Sequence, residues 1–169
     1  MDPVRIRELL LEIQSRLDEL FDLLGAEAVD WLNWEGKMST FGGPKDSGVS
    51  LDEGLALCEP HEVDEFDDDL FLEDPPEGAG LARSLNPDYP YIACRWDYDI
   101  TSRDWLQAHK VVVRNPATGV TVPGVQPIDW GPNESTGRIA DLSPGLAAML
   151  GLKTDGICEV AVPIPARVA

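Results

Sequence analysis

Apolar positions near the start of the chain follow a helical beat. Ile6, Leu10, Ile13, Leu17, Leu20 and Leu24 are spaced alternately by four and three, which is the seam of a heptad repeat. Asp2 is placed to cap this amphipathic α-helix, Pro3 suits its first turn, and Gly25 marks its stop. The seam is too short to sustain an isolated coiled coil. It therefore either packs on its own domain or docks a partner or a second copy of the chain. Trp31, Leu32 and Trp34 follow closely, and are expected to anchor the helix end or to form a sticky aromatic surface.

From Gly36 onward the pattern changes. Short apolar runs are punctuated by Gly and Pro, the mark of a small β-rich domain. Strands are predicted over 91–94, 110–114 and 120–128, with a hairpin turn at 115–119 and with Pro123 and Pro127 at edges or bends. A short helix is predicted over 143–150, capped by Ser143, with Pro144 in its first turn and Gly151 closing it. An alternating strand over 157–163 ends the pattern. This divides the chain into a helix and connector, 1–33, and a mainly β domain, 34–169. An acidic loop is inserted at about 59–80, held by a hydrophobic anchor at Phe66, Leu70, Phe71 and Leu72.

Composition narrows the function classes. The chain has 169 residues, enough for one domain, or one domain with a helical appendage, to bury a core without disulfides. Its leucine-rich stretch, 9–24, is cut by Glu12, Arg16, Asp18, Glu19 and Asp22, so no run resembles a membrane span. MDPVRIRELL lacks the pattern of a signal peptide. This implies cytoplasmic synthesis, with any route out of the cell supplied by a particle or by lysis. The formal charge of −18 disfavours nucleic acid and anionic membranes. Ten carboxylates and no Lys or Arg fall between Glu59 and Glu77. Their spacing is not that of an EF-hand, so the segment reads as a solvated loop that gates a groove or simply faces water. Cys58, Cys94 and Cys158 form no CxxC pair, and there are two histidines. That inventory implies free thiols and neither a zinc site nor a cofactor.

The stretch from Val111 carries the strongest signal. Asn115-Pro116-Ala117-Thr118-Gly119 leads to Asp129-Trp130-Gly131-Pro132, then Gly137-Arg138, then Asp141-Leu142-Ser143-Pro144, and Lys153-Thr154-Asp155-Gly156 precedes the last strand. Upstream, 35–43 looks like a first strand, and Ser84-Leu85-Asn86-Pro87 resembles the segment that follows it in bacterial expansins. Together these resemble the six-stranded double-psi β-barrel of the rare lipoprotein A and expansin superfamily, which includes lytic transglycosylases and family 45 endoglucanases. The resemblance covers roughly 34–165, and the 129–144 block is its most specific part.

The resemblance implies binding, and cleavage or loosening, of a cell-wall polysaccharide such as the peptidoglycan glycan strand. Asp141 matches the general acid and Asp129 the second groove aspartate. Ser39 or Thr40 matches a small hydroxyl residue of the groove, and Arg138 belongs to the Gly-Arg step beside it. Trp130 and Trp96 are candidates for a sugar-stacking platform. Two carboxylates facing one groove can divide into an ionised and a protonated member, and the latter can protonate a glycosidic oxygen. Structural readings stand beside these roles. Asp141 can assist capping of the following helix, Asp129 can fix its turn, and both tryptophans can be core. Cys94 falls where the lipoprotein family carries a groove histidine. A non-catalytic barrel, docked onto a phage tail or injection particle through the heptad helix, is the other function class that fits.

Overall fold

A computed structural model describes Arg5 and residues 29–166. The heptad positions Ile6, Leu10, Ile13, Leu17, Leu20 and Leu24 lie outside the described residues. The chain divides into two units, Met1–Asp30 with Pro165–Ala169, and Trp31–Ile164. The second unit carries the body of the barrel and every candidate site residue.

The fold is mainly β. Strands β1 (Val29–Thr40), β2 (Tyr91–Cys94), β3 (Val111–Arg114), β4 (Thr121–Asp129), β5 (Arg138–Leu142) and β6 (Ile157–Pro165) close into a six-stranded barrel in the order β1-β5-β2-β4-β3-β6. β1 runs parallel to β5 and β2 parallel to β4, while β2–β5, β3–β4 and β3–β6 are antiparallel. Alternation along the strands sends one set of side chains inward. Met38, Val111, Val113, Ala140, Leu142, Cys158, Val160 and Val162 are all essentially inaccessible and share the barrel core with Ile92 and Cys94.

Three short helices complete the described unit: α1 (Leu81–Ser84), α2 (Arg103–Ala108) and α3 (Pro144–Leu150). α3 matches its sequence signals closely. Ser143 Oγ accepts from the Leu146 N–H at 3.1 Å, Pro144 stands in the first turn, and Gly151 closes the helix at φ 66°. α3 docks tightly, because a Cβ on Gly145 would stand 2.7 Å from the Asp88 carbonyl oxygen.

The connection from β1 to β2 folds back over the outside of the barrel and builds a second core. Leu55, Leu70, Phe71 and Leu85 pack there with Tyr91 and Ile128. This explains why all of β2 and Val125–Ile128 of β4 are buried on both faces. The hydrophobic anchor of the acidic segment is present. Leu70 is fully buried, Phe66 meets Phe71 edge-on at 6.4 Å, and backbone bonds join Leu72 N to Ser84 O (2.8 Å) and Asn86 N to Leu70 O (2.9 Å).

Three features differ from the sequence reading. β1 begins at Val29, before Glu35, so Trp31, Leu32 and Trp34 are residues of this strand, and the helix end they are expected to anchor lies outside the described residues. β5 is a five-residue strand that the sequence reading does not assign. α2 is little more than one turn, capped by Ser102, too short to show a hydrophobic period.

Candidate functional site

Strand register brings the two aspartates together. Ala93 of β2 pairs with Asp141 of β5 on one side and with Asp129 of β4 on the other. Ala140 and Leu142 fill the core, so Asp141 and Ile139 point outward. Ser39 of β1 is the register partner of Asp141, and its hydroxyl donates to Asp141 Oδ1. Twelve residues of sequence are thus reduced to one intervening strand.

Both carboxyl groups are half-buried, and in both burial is the largest influence, raising the pKa above the usual aspartate range. At Asp141 the Ser39 hydrogen bond and the nearby Arg138 cation pull the other way, while Asp46 adds a further upward push. At Asp129, burial is opposed by two N–H donors, Ala56 and Trp130, each 2.9 Å from Oδ1; the charges of Glu53 and Asp141 push upward. Each carboxyl therefore holds its proton more tightly than a free aspartate, which is the property a general acid requires.

Those contacts also decide between the structural readings. Capping of α3 belongs to Ser143, and Asp141 bonds Ser39 instead. Asp129 does fix its turn: its Oδ1 ties the β4 end to the Leu55–Cys58 segment of the β1–β2 connection.

A cleft of about 630 Å³ opens where β1 ends. Thr40, Phe41, Lys45, Asn86, Asp88 and Pro144 of α3 are among the residues that line it, and neither Asp141 nor Asp129 is. Thr40 is exposed at this lip, next to Ser39. Asp46 also lines the cleft, accepting from Gly42 N at 2.7 Å and Gly48 N at 2.8 Å. Sequence reasoning missed this third carboxylate near Asp141. The Asp-Ser-Gly turn at 46–48 signals a loop, but nothing local shows that it folds back beside β5.

The remaining candidates separate. Trp130 is 42% exposed, with its indole N–H donating to Trp96 O at 3.2 Å. Trp96 is only 6% exposed and meets Tyr98 edge-on, so it supports Trp130 and offers no open platform of its own. Arg138 is held by Asp155 at 3.1 Å. Cys94 lies in the barrel core, where burial pushes its thiol up to about 12, so it does not stand in for a groove histidine. His109 stacks on Trp105 and hydrogen-bonds the Trp105 carbonyl at 2.7 Å. All three cysteines are free and buried. Among the described residues, no group of three or more His, Cys, Asp or Glu is placed to hold a metal ion, and no helix is long and apolar enough to cross a membrane.

No family model matches the chain, and no curated protein matches it in sequence.

Proposed function

We propose that the chain is a double-psi barrel of the rare lipoprotein A and expansin kind that binds a cell-wall glycan and cleaves it through Asp141. The reading is supported by the parallel β1–β5 and β2–β4 pairs in a closed six-stranded barrel and by the motif block at 129–144. The observation that carries it is Asp141 itself: an outward, half-buried carboxyl whose pKa burial raises, hydrogen-bonded by Ser39, with a second carboxyl one strand away.

In the reaction, Asp141 gives its proton to the glycosidic oxygen as that oxygen leaves C1 of the sugar. A hydroxyl of the same sugar attacks C1 and closes an anhydro ring. Its proton passes to the Asp141 carboxylate, which restores the acid. No external water is consumed, so one acid/base group suffices and a groove histidine is not required. Ser39 orients the carboxyl, Thr40 and Arg138 border the substrate, and Trp130 offers an aromatic face to a pyranose. Delivery by a phage or contractile particle, with the 6–24 seam as the docking face, belongs to the same proposal.

A second reading, a non-catalytic assembly protein, is favoured by one observation. Asp129 Oδ1 is already taken by two backbone N–H groups, which is how a purely structural carboxylate behaves. Incubation of the full chain with purified peptidoglycan, followed by mass spectrometry, separates the two. Anhydro-muropeptides from wild type and none from Asp141→Asn support the proposal. No products and no pull-down on glycan lacking stem peptides leave the assembly reading.

A further inference from the structure

The outer face of β5 carries Asp141 and, about 7 Å along the strand, Ile139. Ile139 belongs to a separate pocket of about 280 Å³, walled also by Trp34 of β1 and by Trp130, the residue after Asp129. Gly36 makes this corner possible: a Cβ there would stand 2.7 Å from Ile139 Cγ2, so the missing side chain lets Ile139 lie against β1.

We propose that this aromatic pocket is a second sugar subsite, so that the chain takes oligosaccharides long enough to reach from Asp141 past Trp130 to Trp34. This rests on the glycan reading above and adds a length requirement to it. Trp130 is braced before any ligand arrives, since its indole N–H is tied to Trp96 O. A rigid, partly open aromatic surface costs little entropy to use.

Beside the aromatic walls stand planar polar groups. Arg95 and Glu134 face each other at 3.6 Å across the rim, and Glu134 is 81% exposed. Arg95 also donates to the Arg138 carbonyl, which fixes its guanidinium. Asp97 completes the polar lining. The buried indole N–H of Trp96, another wall residue, has no partner among the described residues.

Apolar faces next to bidentate hydrogen-bonding groups suit a pyranose, whose C–H face is apolar and whose rim is hydroxyl. Two carboxylates against one guanidinium make the pocket unsuited to a phosphate or another polyanion.

The test uses the full chain carrying Asp141→Asn, so that nothing is cleaved, and β-1,4-linked N-acetylglucosamine oligomers followed by tryptophan fluorescence. The hexamer should bind about tenfold more tightly than the dimer, as one added aromatic stacking contact predicts. Adding Trp130→Ala should remove most of that difference. Glu134→Gln, at a well-solvated rim position outside the barrel core, should weaken the hexamer alone. Equal affinity for the two lengths, or hexamer affinity unchanged in both variants, overturns the subsite. Length-dependent binding with no cleavage by wild type keeps the subsite and removes the catalytic reading. Cleavage with length-independent affinity does the reverse.

Discussion

At the scale of single residues, the proposed chemistry of Asp141 can be set against its effect on stability. Burial raises its pKa above the ordinary aspartate value of 3.8, so the folded state binds the proton more tightly than the unfolded state. The contribution of this one group to stability is therefore fully present below that value and is lost as pH rises through the folded pKa, where the carboxylate ionises in a half-buried site. Asparagine has the same shape, still accepts the Ser39 hydroxyl bond, and never ionises. Asp141→Asn should melt a few degrees above wild type near neutral pH and level with it at about pH 3 by calorimetry. A variant less stable than wild type at neutral pH would mean that Ser39 and Arg138 outweigh burial, and that the group is not a proton holder. The motif residues around 129 and 141 were legible because their signals are local. Asp46 was not, because its position depends on how a long connection folds back. Nor was the contrast between Trp96 and Trp130: identical side chains, one packed and one open, differ only in tertiary surroundings.

Elements with their own start and stop signals were legible in the same way. The β3–β4 hairpin around Asn115–Gly119, the capped α3 and the alternating β6 each declare themselves within about ten residues. β5 does not, because RIADL gives too few turns of either period to choose between strand and helix. The added length of β1 was hidden by its tryptophans, which read as anchors. The acidic connection is the element whose role is most testable. Its charge is solvated, but Leu70 is fully buried in the second core, so apolar packing holds it against β2 and β4. Leu70→Ala should cost about 2–5 kcal/mol. It should also let a glutamate-specific protease cut within 59–77 several-fold faster than in wild type, since that segment holds many glutamates and no basic residue. Unchanged cleavage would mean that the segment is held by its backbone bonds to Ser84 and Asn86 and not by the anchor. Because the same connection supplies the Ala56 N–H that binds Asp129, loosening it also frees that carboxylate.

For the whole molecule, charge sets the terms on which any partner is met. Thirty-one acidic residues face thirteen basic ones, and the described residues include the ion pairs Arg95–Glu134, Arg103–Glu62, Arg114–Glu159 and Arg138–Asp155. Added salt screens attraction in these pairs and repulsion among the rest, and with this imbalance repulsion dominates. The same sign governs approach to a wall. A glycan strand stripped of its peptides and acidic polymers exerts little long-range force on the chain, whereas an intact wall rich in phosphate repels it. Binding to intact walls should therefore be weak at about 0.01 M salt, where the Debye length is about 30 Å, and strengthen several-fold at about 0.15 M, where it is about 8 Å. Binding to stripped glycan should change little. A cosedimentation series across salt, on both materials, measures this directly. Tighter binding at low salt would point to a local cationic surface that overrides the net charge. The opposite trend, strengthening with salt on intact walls alone, assigns recognition to short-range stacking and hydrogen bonding, of the kind proposed around Asp141 and at the Trp130 pocket, the interactions that survive screening.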